Sequence, residues 1–419
     1  MKLKINKAPR LSYSDTLAML CLTSVLVFPQ SFLYIKLFLL ATYTVFYLLQ
    51  MILGQTLRLY PKLVIFYLVL SVIGLFWSLV GSVNGGETAG IIGNLRLYVL
   101  WSLAFCVFYH LLMCGNAFLV FHKSIVVSGI IIFLINTFAV INHVFDFGFI
   151  PISIIKDMNM FVGIHEGYVQ ITSRNIGSLF LITTYLIAIQ FQKSPIFLNN
   201  WQAKISLLLC LIVVALSGRR ALWLIMPMVP FFIITLALIT STYNKIGNKN
   251  ILLVFVLCCF TFVVTASYLV LNGNSDATIK HVENAFSSSD IRTPLSTELI
   301  DGFMEYPLFG SGFGVGVETS RSKDTPWLYE LTYHQKLFNL GFIGSVILGV
   351  LLIVYLIESI RYISQGNKNY GIAFGLLLGL IAQFIGAYSN PYFGSFDFLL
   401  PLGILPLLSS SLKTKYQTK

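Results

Sequence analysis

The chain has 419 residues, of which 57% are apolar, 15% aromatic and 10% charged, with a formal net charge of +11. A soluble domain carries roughly 25% charged residues, so this composition excludes a water-facing fold. Period-two alternation is absent, which excludes an outer-membrane barrel.

Apolar runs of about 20 residues recur, each long enough to cross a hydrocarbon layer of roughly 30 Å. The predicted fold is an all-α polytopic membrane protein with about twelve transmembrane helices. In chain order these lie at 12–28, 31–52, 63–83, 93–113, 124–142, 176–192, 205–217, 221–241, 251–271, 337–359, 371–388 and 397–412. Helices 1–9 then occupy 1–271, with a smaller outer loop at 143–175. A large outer loop spans 272–336, and helices 10–12 with a tail occupy 337–419. The first apolar run has no small-residue cleavage site after it and is expected to stay as a helix. All cysteines (Cys21, Cys106, Cys114, Cys210, Cys258, Cys259) lie inside apolar runs without metal-ligand spacing, as small buried hydrophobes do.

Basic residues fix the orientation. With the N-terminus in the cytoplasm, that side receives Lys2, Lys4, Lys7, Arg10, Arg58, Lys62, Lys123, Lys193, Lys204, Lys245, Lys249, Arg361, Lys368, Lys413, Lys415 and Lys419. Only Asp15 and Glu358 among the carboxylates join them, so both termini are expected to be cytoplasmic. The positive charge is thus topology signalling and headgroup attraction; no nucleic-acid motif is present.

Several basic residues remain outside. Lys36 is expected to snorkel from its helix end, and Lys156, Lys280, Arg321, Lys323 and Lys336 read as loop residues. Arg96 lies near the outer end of its helix and Arg174 just before one. Arg219 and Arg220 are the sharpest departure from the positive-inside pattern. They sit in Ser217-Gly218-Arg219-Arg220-Ala221, a minimal turn between two apolar runs. Charges at membrane depth are costly and tend to be functional, so the pair reads as a fixed anion site or as headgroup contacts.

The loop His143–Gly177 holds His165-Glu166 and an apolar segment, Phe147–Ile155, suited to lying on the membrane. It reads as a lid or spacer. In the large loop, Thr293-Pro294 looks like a helix start, with threonine as N-cap and proline at the first position. This helix is expected to end near Glu305, before Pro307, with Leu295, Leu299 and Phe303 on one face. Arg292 would stand just outside its N-terminus, where free N–H groups and a guanidinium suit a phosphate. Gly310-Ser311-Gly312-Phe313-Gly314 lets backbone approach a ligand or another helix. His334, at the return to the membrane, is either a base for a sugar hydroxyl or an interfacial hydrogen-bonding residue. Gly341 and Gly344 suit close helix packing.

At these residues the chain resembles the O-antigen polymerase and O-antigen ligase superfamily. Three landmarks carry the resemblance, over residues 205–350. They are the Ser-Gly-Arg-Arg-Ala-Leu turn, an arginine-led helix ending in Glu305-Tyr306-Pro307-Leu308-Phe309-Gly310-Ser311-Gly312-Phe313-Gly314, and a histidine–amide pair before a Gly-x-x-Gly helix. The resemblance implies a glycosyltransferase acting on undecaprenyl-diphosphate-linked oligosaccharide at the periplasmic face of the inner membrane. It implies that Arg219 or Arg220, with Arg292 and supported by Arg174 and Arg96, grips the donor diphosphate. His334 is the candidate base, with Glu298 as the alternative. No cofactor is expected, and arginine would replace a divalent ion. Membrane lipid and a chain-length regulator are the further partners it implies. The short interval between His334 and Gly341 favours polymerase over ligase; a flippase or other transporter is the competing class, against which stands the lack of an internal repeat.

Overall fold

The computed structural model describes residues 12–52, 59–165, 168–192, 201–245, 292–319, 326–388 and 396–412. The architecture is a bundle of apolar helices: α1 (Tyr13–Val27), α2 (Leu33–Ile52), α3 (Pro61–Val83), α4 (Thr88–Cys114), α5 (Ala117–Val144), the short α6 (Ile152–Asp157), α7 (Leu179–Gln190), α8 (Trp201–Leu216), α9 (Arg220–Ile239), α10 (Arg292–Glu305), α11 (Thr332–Ser364), α12 (Tyr370–Gly386), α13 (Phe396–Leu402) and α14 (Ile404–Ser410). Among the described residues, five helices (α3, α4, α5, α11 and α9 from Ala221) are long and apolar enough to cross a membrane. The shorter apolar helices α1, α2, α8 and α12, and the α13–α14 stretch Leu399–Ser410, also coincide with predicted spans. The predicted helix at 251–271 lies outside the described residues.

Local chemistry sets the ends. Ser12 and Asp15 form a reciprocal capping box at the start of α1, and Pro61 opens α3 where its missing N–H costs nothing. α7 is apolar on every face and is buried along nearly its whole length, as a helix at the centre of a bundle must be. It packs most closely on α12, where Gly375, Gly379 and Gly386 meet Tyr185, Leu181 and Phe180. α11 is the opposite case. Phe342, Val350 and Ile353 are exposed along it, a surface suited to lipid rather than water.

The two ends of the bundle differ. At one, Lys62 pairs with Glu358 at 2.8 Å and Glu358 accepts from Ser409; Asp15 holds the start of α5 through Asn116 N–H at 3.2 Å. Lys245 lies over the Tyr370 ring there, with Arg361 and Lys368 close in sequence. At the other end lie the α1–α2 turn, the segment between α5 and α7, the Ser217–Arg220 turn and the loop between α10 and α11. The second of these contains a feature not anticipated from sequence. β1 (Phe161–His165) and β2 (Tyr168–Thr172) pair antiparallel, with Phe161 opposite Thr172. Alternating β-branched residues on either side of Glu166-Gly167 were the available signal.

Candidate active site at one end of the bundle

α10 is the first element of the site. It runs Arg292–Glu305, so Arg292 is its first helical residue rather than a residue outside an N-cap at Thr293. Leu295 and Leu299 are buried against Phe338 of α11 and against Tyr329 and Leu331 of the preceding loop, with Phe303 half-buried on the same face. Glu298 faces elsewhere: one carboxylate oxygen accepts from Thr319 N–H at 2.8 Å and the other from the Thr319 hydroxyl. It therefore pins the loop after the glycine run. Tyr329 closes the same loop by accepting from Val317 N–H at 2.7 Å, and burial pushes its phenol up to about 12.

The glycine run is a strap, not a ligand cradle. Gly310, Gly312 and Gly314 all have φ between 70° and 87°, a region open mainly to glycine. The strap passes between α3 and α11 with almost no clearance. A Cβ on Gly312 would lie 2.0 Å from Gly81 N, and one on Gly310 would lie 2.4 Å from Gly341 N. Backbone bonds fix it on both sides: Ser311 N–H to Phe338 O at 2.9 Å, Gly312 N–H to Asn339 O at 3.0 Å, and Phe313 N–H to Trp77 O at 3.0 Å. Gly341 breaks α11 with φ 61° and ψ −167°, and the freed N–H groups of Phe342 and Ile343 bond Pro307 and Leu308 carbonyls at 2.8 and 3.0 Å. Ser311 is buried and donates to Phe338 O at 3.2 Å, a structural bond.

This strap sets where α11 begins. His334 lies in the first turn of that helix, and its Nδ1 is buried without a hydrogen-bond partner among the described residues. Buried polar atoms are nearly always paired, which singles this nitrogen out as a group able to accept a proton from a bound hydroxyl or donate one to it. Its neighbours are anchored: the Gln335 amide donates to Trp327 O at 2.8 Å and the Tyr333 hydroxyl to Phe384 O, on α12, at 2.7 Å. Lys336 is not the loop residue expected from sequence. It is a buried member of α11, with its ammonium 5.1 Å from the Tyr98 ring centroid and 5.5 Å from that of Phe313.

The arginines reach the same end by other routes. Tyr333 also meets the Tyr388 ring just past α12, and Gly386 of α12 packs on Phe180. The single turn Arg174–Ser178 leads directly into that part of α7. Arg174 is exposed; its guanidinium NH1 donates to the Gln30 and Asp157 carbonyls at 3.2 and 3.0 Å. Among the described residues no carboxylate pairs with it. From Arg174 the chain runs back along β2 to Gln170, whose amide donates to Ser217 O at 3.4 Å and packs on Gly218. The Arg219–Arg220 turn therefore stands beside β2, with Arg219 half-buried as the residue before α9. Arg96 is exposed at the start of a π-helical stretch, Arg96–Trp101, inside α4. Such bulges are rare and often functional. The Lys36 amine does not snorkel outward: it is buried and donates to Phe28 O.

Beside Arg174 a cavity of about 400 Å³ opens between α1, α2, α5 and α6, lined by Phe28, Phe32, Ile135, Phe138 and Met158, with Lys36 in its wall. Its lining is almost wholly apolar. Phe145, Phe147, Phe149 and Ile152 near its rim are exposed. His165 and Tyr168 pair at the hairpin tip, while Glu166, Lys280, Arg321 and Lys323 lie outside the described residues.

Residues 205–340 match the family model described as O-antigen ligase. The chain carries a domain of the O-antigen polymerase and ligase superfamily. The matched segment begins in α8, includes the Arg219–Arg220 turn and α10, and ends at Leu340 beside the α11 break, so it contains the strap and His334. Its long apolar helices are those of a membrane protein. No curated protein gave a significant match.

Proposed function

We propose that the protein is a polysaccharide polymerase of the bacterial inner membrane. It moves a glycan chain from undecaprenyl diphosphate onto a sugar hydroxyl of a new lipid-linked repeat unit. Supporting this reading, the His334 nitrogen without a hydrogen-bond partner among the described residues lies at the same end of the bundle as the arginine-bearing turns. By the positive-inside rule the opposite, Lys- and Arg-rich end is cytoplasmic, which makes the His334 end periplasmic and puts both termini inside.

In the proposed reaction, the acceptor oxygen bonds the anomeric carbon as its proton passes to His334. The bond from that carbon to the phosphate oxygen breaks, and the diphosphate leaves with added negative charge. Arg219 or Arg220, with Arg292 and Arg174, holds that charge; fixed guanidinium donors stabilise it where water could not. The cavity beside Arg174 offers hydrocarbon space near the anion site. Glu298 is committed to Thr319, which favours His334 as the base. A chain-length regulator is the protein partner this reading expects.

A ligase is the second reading, favoured by the family description itself. It would use the same donor and transfer the chain to lipid A core. The glycan profile of a deletion strain separates them. Lipopolysaccharide bearing a single repeat unit supports the polymerase. Bare core with accumulated lipid-linked chain supports the ligase, and an unchanged profile removes both.

A further inference from the structure

We infer that Lys336 is a positioning residue whose charge, held on the Tyr98 and Phe313 rings, locks the strap and the π-helical stretch of α4 onto the first turns of α11. It thereby fixes His334 for transfer. The inference rests on the functional reading above for what His334 does, but the lock itself stands on geometry. Tyr98 and Phe313 are stacked at 5.3 Å with 11° between their planes, and both are buried. The ammonium of Lys336 lies over that pair. No carboxylate or hydrogen-bond acceptor among the described residues meets it.

A lysine that is 8% exposed without a counter-ion is costly to keep. The negative faces of the two rings are what the structure offers it, and desolvated cation–π contacts are the stronger kind. Each partner belongs to a different element. Tyr98 sits in the π-helical stretch, two residues after Arg96, with its Cβ against Gly74 of α3. Phe313 is in the strap, and Lys336 is two residues after His334. One cation therefore ties the Arg96 segment, the strap and the His334 turn together. A Met or Leu would fill the space and leave the three elements joined by packing and the strap's backbone bonds, without the cation.

The test replaces Tyr98 with phenylalanine and then with progressively fluorinated phenylalanines, which weaken the ring quadrupole at nearly constant shape. Lys336→Met and Lys336→Arg are made in parallel. Two readouts are taken on the full-length protein in membrane vesicles or detergent. The first is hydrogen exchange at the Ser311 and Gly312 amides; the second is glycan extension with lipid-linked repeat units. Exchange at both amides should quicken in step with fluorination. The extension rate should fall by roughly tenfold at full fluorination and in Lys336→Met, with KM within about twofold, while Lys336→Arg restores both. Exchange and rate insensitive to fluorination would overturn the inference, as would an arginine variant no better than methionine. If wild type extends no glycan, the functional reading fails, while the exchange series still decides the lock. Should Lys336→Met not fold, the fluorination series carries the test.

Discussion

Gly341→Ala should be among the most damaging small substitutions in the chain, although it adds one methyl group. The backbone there has φ 61° and ψ −167°, a region that is essentially glycine-only and costs other residues about 1–3 kcal/mol. The added Cβ would also lie 2.3 Å from Gly310 N and 2.6 Å from Leu308 O. These are main-chain atoms that cannot turn aside, and overpacking of this kind costs about 1–3 kcal/mol more. The sum, about 2–6 kcal/mol, is a large part of the roughly 5–15 kcal/mol that holds a typical domain folded. Gly349, in the same helix, supplies the control. A Cβ there meets nothing within 4 Å, so Gly349→Ala should be neutral or stabilising by about 0.5–1 kcal/mol. Thermal unfolding of the purified variants in one detergent measures both. A Gly341→Ala protein that melts with wild type would refute the strap as the element that sets the α11 break.

His334→Ala should lower glycan extension by about 10²- to 10⁴-fold with little change in melting temperature; retained turnover at equal expression would transfer the base role elsewhere. Arg292→Ala, and paired loss of Arg219 and Arg220, should each cost about 10²- to 10³-fold in rate, assayed with lipid-linked oligosaccharide in vesicles. Normal modal chain length in either variant would remove those residues from the mechanism. Glu298→Gln keeps an acceptor for Thr319 and should retain turnover within a few fold, whereas abolished turnover at unchanged stability would make the carboxylate catalytic. Tyr329→Phe leaves Val317 N–H without its acceptor and should cost about 1–3 kcal/mol. Because the Tyr329 phenol is raised to about 12 in the fold, its contribution is complete below about pH 10. It is lost as pH rises through 12, and that alkaline loss should be absent from the phenylalanine variant.

Much of this architecture is legible in one dimension. Helix positions follow from hydropathy, and burial of Leu295 and Leu299 follows from their i, i+4 spacing on α10. The placing of the Ser217–Arg220 turn at the same end of the bundle as the segment before α7 followed from helix order, against its own charge. What sequence did not show depends on contacts between distant segments. Gly81, Gly312 and Gly341 need glycine because three backbones nearly touch, and no local periodicity records that. Lys336 reads as a solvated loop residue until Tyr98 and Phe313 are seen beneath it, and Lys36 as a snorkelling helix-end residue until the Phe28 carbonyl is found. Glu298 read as an alternative base because Thr319, its partner, lies in a loop without a regular pattern.

The most direct measurement is cysteine accessibility in a cysteine-free background, with single cysteines at positions 219 and 334. Intact spheroplasts are treated with a membrane-impermeant maleimide, with and without lipid-linked oligosaccharide. Both positions should react from outside and both should be shielded by the donor. Reaction of either only in inverted vesicles, or shielding of neither, would contradict a periplasmic histidine and arginine acting on one lipid diphosphate.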